Sequence, residues 1–164
     1  MHTIPDVKPT KENKAEVYET LYEYAKGLLD SSLPLITNMS NFVALLHHTF
    51  EYHWTGFYMI NKEGTELVLY PFQGPVACTK IGKGKGVCGT AWERATTIVV
   101  PNVDEFPGHI ACSSLSKSEI VVPLFDNKGE VVGVLDIDSA ELDTFNDDDR
   151  KGLERLLSLF LDIV

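Results

Sequence analysis

Three cysteines, Cys78, Cys88 and Cys112, fall in one stretch with three carboxylates, Glu119, Asp136 and Asp138. Thiolates attack electrophilic sulfur and cycle through sulfenic acid and disulfide, while carboxyl groups hold or deliver protons. The residues from Cys78 to Asp138 therefore read as a redox site. Asp136 and Asp138 stand in VVGVLDIDS, where alternate residues of a strand point to the same side. A carboxylate in so apolar a strand needs hydrogen bonds or a cation, although a strand end at the solvent boundary explains the pair equally well. Cys112 stands in PNVDEFPGHIACSS, beside Ser113, Ser114 and Ser116. Prolines and glycine make that segment irregular, which places the thiol on a loop fit for movement and reaction.

The spacing of the cysteines narrows the chemistry. Nine and then twenty-three residues separate them, which matches no zinc pattern, and three thiols cannot close a disulfide framework. His2, His47, His48, His53 and His109 are scattered without an HExxH motif, so no metal is expected. Lys80, Lys83 and Lys85 lie among glycines beside Cys78 and Cys88, where positive charge would favour thiolate. A solvated basic loop is an equal reading of that run.

Gly84 to Gly89 fits G-x-G-x-x-G formally. A dinucleotide fold would need a preceding parallel strand, and antiparallel hairpins precede it here. What survives is a helix opening at about Gly86, whose backbone N–H groups at Gly86, Val87 and Cys88 suit a small carboxylate.

The elements that must position these groups follow from periodicity. Val17, Leu21, Tyr24 and Leu28 form one face of a helix within 11–30, and Ile36, Met39, Val43, Leu46 and Phe50 mark a second over about 34–50. WTGFYMIN and ELVLYPFQG, joined by a turn at Lys62-Glu63-Gly64, read as an antiparallel hairpin. Trp54 and Tyr58, four apart, face one side of it. A helix over 86–94 and a short strand over 97–100 follow. EIVVPLF and EVVGVLDID pair as a second hairpin about Asp126-Asn127-Lys128-Gly129. Asn146 caps a last helix with an acidic first turn and an apolar set at Leu153, Leu156, Leu157, Phe160 and Leu161. This order predicts an α+β fold, an antiparallel β-sheet flanked by helices. The terminal helices should share one sheet face and leave the pocket to the other.

A length of 164 residues suits one domain over 1–164, with a helical segment at 11–50, sheet and loops at 54–138 and a closing helix at 146–164. The net charge of -10 argues against nucleic acid as a partner. No apolar run reaches the roughly 18 residues of a membrane span, and the start has no signal-peptide core, so a cytoplasmic location is expected.

WTGFYMI, the glycine turn with Cys88, HIACSSLSKSEIVVPL and GVLDIDS together resemble the free methionine-(R)-sulfoxide reductases. That resemblance spans nearly the whole chain and implies a GAF fold. It makes Cys112 the nucleophile and Cys88 and Cys78 resolving or auxiliary thiols. Glu119, Asp136 and Asp138 would line the substrate site, and Trp54 and Tyr58 would wall the substrate methyl group. It also implies a homodimer, no cofactor, and thioredoxin or another dithiol as external reductant. The first helix, amphipathic, could cover either the sheet or the second subunit. The main rival is a GAF module that senses a small ligand; such modules usually sit beside an output domain, none is expected after the last helix and Val164, and a sensor has no need of three thiols beside carboxylates.

Overall fold

The computed structural model describes residues 3–110 and 112–164; His2 lies outside them. Among the described residues, the chain forms four α-helices and a six-stranded antiparallel sheet. The helices are α1 (Lys14–Leu28), α2 (Leu35–Phe50), α3 (Gly86–Arg94) and α4 (Asp147–Leu157). The strands are β1 (Trp54–Ile60), β2 (Glu66–Gln73), β3 (Lys80–Gly82), β4 (Ile98–Val100), β5 (Ser118–Phe125) and β6 (Val131–Ser139), in the order β3-β2-β1-β6-β5-β4.

Alternation along the central strands divides the core in two. Phe57, Ile120, Val122, Leu124, Leu135 and Ile137 face α1, α2 and α4 and form the larger cluster. Their neighbours Tyr58, Val121 and Val134 turn the other way, with Trp54, to a smaller cluster under α3. One face thus bears three helices, while the other bears a single short helix and leaves room for a pocket. α1 and α4 lie together on the first face, as their apolar stripes require. The α1 stripe, Val17, Leu21 and Ala25, is covered within the chain, so it offers no surface to a second subunit.

A buried polar cluster fixes that pairing. Asp149, fully buried, accepts from Lys14 Nζ at 2.6 Å, from Tyr18 Oη at 2.7 Å and from the backbone N–H of Asn146 at 2.8 Å. Asn146 in return accepts from the N–H groups of Asp148 and Asp149, completing a capping box at the start of α4. Gly152 lets α4 approach closely, since a Cβ there would enter the ring of Tyr18.

Two features exceed the sequence reading. β3 is a three-residue edge strand beside β2, and the irregular 101–114 segment holds one turn of 3-10 helix at Val103–Glu105, capped by the Asn102 side chain. Both are too short for periodicity to register.

Candidate active site

Register brings the carboxylates together. On β6, Asp138 lies opposite Trp54 of β1 and Glu119 of β5, and Asp136 lies opposite Gly56 and Val121. Directly opposed residues share a sheet face, so Trp54, Asp138 and Glu119 form a row across three strands, with Asp136 in the next. These positions are central in the sheet, not at a solvent boundary. Glu119 and Asp136 are 5% and 7% exposed.

Gly56 explains how a large aromatic fits beside them. A Cβ there would collide with the Trp54 ring and with Phe72. The bare backbone lets the indole fold along the strand and stack between Phe72 and Tyr58, with centroids at 5.2 and 5.8 Å. The polar tips of both aromatics then grip the segment that carries Cys78. Trp54 Nε1 donates to the Pro75 carbonyl at 3.1 Å, and Tyr58 Oη donates to the Cys78 carbonyl at 2.9 Å. Removing the latter in Tyr58→Phe should cost about 1 kcal/mol, read by urea denaturation of the oxidised protein. An unchanged midpoint would mean that Tyr58 does not anchor the segment.

The structure joins Cys78 to Cys112 in a disulfide, with Cα atoms 5.6 Å apart. Both residues are partly exposed, and Cys112 lines the pocket, whereas Cys88, also in its lining, is free and buried. The loop bearing Cys112 is tied down just beyond the cysteine. Ser113 Oγ lies 2.9 Å from His53 Nε2, and Ser116 Oγ donates to Asp138 Oδ1 at 2.8 Å. His109 brings Nε2 to 3.5 Å from Glu119 Oε2. The sequence reading missed His53, His109 and Ser116 as site residues, because neither their spacing nor their neighbours distinguish them before the strands are paired.

α3 enters from above. Gly86 has φ +58°, and a Cβ on it would press on Ile110, so glycine permits both the turn and the close approach of the Cys112 loop. Gly86, Val87 and Cys88 form the first turn of α3, whose N–H groups have no intrahelical acceptor. All three line the pocket.

Crowding sets the protonation states. Burial, followed by the charge of Asp138, pushes Glu119 up to about 8. Burial and Glu119 push Asp136 well above the ordinary carboxylate range, and burial with Asp136 does the same to Asp138 despite its bond from Ser116. Burial also lowers His109. The His109–Glu119 contact at neutral pH therefore joins an uncharged imidazole to a carboxyl that is largely protonated, not two ions. The expectation that nearby lysines favour a Cys88 thiolate fails. Burial, then Asp136 and Glu119, push that thiol well up, while Lys83 lies over the Trp92 ring.

The curled antiparallel sheet with its one-sided pocket is that of a GAF domain, and the chain belongs to that family, which matches residues 34–160. GAF domain-containing protein A of Dictyostelium discoideum is 51% identical over 94% of this chain and 96% of its own length. The free methionine-R-sulfoxide reductase of Saccharomyces cerevisiae is 43% identical over 90% of this chain and 85% of its own. A solved structure of free methionine-R-sulfoxide reductase from Neisseria meningitidis, in complex with its substrate, superposes with a TM-score of 0.90 at 42% identity, covering 97% of this chain and 93% of that one. Within the GAF domains, this chain is a member of the free methionine-R-sulfoxide reductase family. Among the described residues, no helix is long and apolar enough to cross a membrane.

Proposed function

We propose that the protein reduces the R sulfoxide of free methionine to methionine. The observation that carries this reading is the Cys78–Cys112 bond, with Cys112 in the lining of a pocket floored by Glu119, Asp136 and Asp138. In the reduced protein, the Cys112 sulfur attacks the sulfoxide sulfur while a neutral carboxyl group donates a proton to the sulfoxide oxygen. The oxygen ends on Cys112 as sulfenic acid, and methionine departs with the lone pair on its sulfur. The Cys78 thiol then displaces water from the sulfenic acid to form the disulfide. A dithiol, thioredoxin by chemical class, restores both thiols by exchange and leaves as a disulfide. Cys88, deep and protonated, is an auxiliary thiol. No bound cofactor enters the cycle.

Recognition of a free amino acid uses both of its charges. The first-turn N–H groups of α3 at Gly86, Val87 and Cys88 suit the carboxylate, and the carboxyl oxygens of the floor can accept from the ammonium, whose charge favours ionising one of them. Trp54 and Tyr58 offer an apolar wall to the methyl group. A peptide-bound methionine sulfoxide lacks both charges and would leave these partners unsatisfied. In the oxidised form Cys112 lines the pocket and is bonded to Cys78, so substrate reaction follows reduction of that bond. The reversible dithiol cycle suits a reducing, cytoplasmic compartment, and the net charge of -10 disfavours nucleic acid as a partner. Exposed Leu33, Ile36 and Tyr70 support a homodimer, which light scattering would test.

The test is methionine release from resolved epimers of free methionine sulfoxide. The R epimer should be consumed and the S epimer spared; release from neither would exclude the activity. pH adds a second reading. Glu119 donates only while protonated, so kcat/KM should fall as pH rises through about 8. Glu119→Gln should remove that limb and lower the rate by about 10²–10⁴. Stability moves the same way. Between the unfolded carboxylate range and about 8, the folded state holds the extra proton, so stability declines as pH rises through that window. Glu119→Gln should therefore be the more stable protein at pH 8. Equal melting temperatures at that pH would show that Glu119 is not held neutral.

A further inference from the structure

We propose that Cys88, Glu119 and Asp136 form a binding site for a thiophilic divalent cation of the zinc class, and that its occupation blocks the substrate pocket. The three side chains come from α3, β5 and β6, and one ligand atom from each lies within 4.8 Å of the other two. Zinc bonds of about 2.0–2.3 Å in tetrahedral geometry hold ligand atoms roughly 3.3–3.8 Å apart, so side-chain adjustments of about 1 Å close the triangle around an ion.

A second observation points to a ligand at this position. Asp136 is 7% exposed, and its Oδ1 is buried without a hydrogen-bond partner. An orphaned carboxylate oxygen inside a protein is costly, and a cation bound among these donors would satisfy it. His109 Nε2 lies 3.5 Å from Glu119 Oε2, beside this group and not within it. One sulfur and two carboxylates form a set that suits zinc, with water or a reoriented His109 left to complete the coordination. Magnesium and calcium demand oxygen alone. Binding would displace the protons that Cys88, Glu119 and Asp136 hold in the empty pocket. The spacing of Cys88, Glu119 and Asp136 along the chain gives no hint of the site, because the sheet register and α3 bring them together.

The disulfide makes a clean experiment, since Cys88 is the free cysteine of the oxidised protein. Cobalt(II), titrated into that form, should give a thiolate-to-metal charge-transfer band saturating at one ion per chain, and zinc should displace it. The band should vanish in Cys88→Ser, and affinity should fall at least about tenfold in Asp136→Asn; melting curves confirm that each variant is folded. Cobalt binding without a thiolate band, or a band that survives Cys88→Ser, would overturn the site. In reduced, desalted protein, zinc at the concentration that displaces cobalt should stop methionine release in a single turnover, and a chelator should restore it. Undiminished release at that concentration would overturn the blocking of the pocket. Cobalt binding is read without turnover, so its failure leaves the reductase reading standing.

Discussion

Cys112→Ser is expected to abolish methionine release, by at least about a thousandfold, because a hydroxyl at neutral pH cannot replace the thiol as nucleophile or take up the oxygen as a sulfenic acid. Cys78→Ser should behave differently. Its Cys112 still attacks, so one methionine per chain should appear in a first turnover without reductant, and turnover driven by a dithiol protein should then slow. The contrast follows from the structure, where Cys78 is bonded to Cys112 while Cys88 lies buried and free. Burst measurements with each variant separate the roles. A full burst from Cys112→Ser would reassign the nucleophile, and an absent burst from Cys78→Ser would make Cys78 more than a resolving thiol.

The largest effect on stability is expected far from the pocket, at Asp149. Its carboxylate accepts from Lys14, Tyr18 and the Asn146 backbone, and neither Asp149 nor Lys14 is appreciably exposed. Asp149→Ala strands an ammonium and a hydroxyl in the core and opens the capping box of α4. Breaking one side of a buried pair costs about 3–5 kcal/mol. For a chain of this length, that lowers the melting temperature by roughly 10 °C. Calorimetry of the oxidised protein reads the shift. A change of only a degree or two would show that the pair does not hold α1 to α4.

The chemistry was more legible than its arrangement. Asp136 and Asp138 interrupt an apolar strand, and Trp54 and Tyr58 share a parity, so alternation alone predicts one face for each pair. The helices over 11–30 and 34–50 and the capped helix after Asn146 announce themselves by period and by capping residues, and they appear at 14–28, 35–50 and 147–157. The last falls short of the expected 146–164, since a 3-10 turn at Ser158–Phe160 follows it and leaves Leu161 exposed and not on the core face. The thiol pairing could not be read, because Cys78 and Cys112 are 34 residues apart and meet only when the segment held by Trp54 and Tyr58 is laid against the Cys112 loop. The lysines near Cys88 misled for a related reason. Sequence shows their nearness along the chain, whereas the burial and the two carboxylates that raise the thiol come from other strands. Gly56 was equally silent; its lack of a side chain acquires meaning only when the Trp54 indole lies across it.

In the proposed cycle, Cys112 and Cys78 carry the two electrons that reduce a free sulfoxide. Reduced, desalted protein should be mixed with the R epimer of free methionine sulfoxide without added reductant, and the product and the disulfide located by mass spectrometry. One methionine per chain, with Cys78 linked to Cys112 and Cys88 still a thiol, is the predicted result. Methionine accompanied by a disulfide through Cys88, or a Cys78–Cys112 bond formed without methionine, would contradict it.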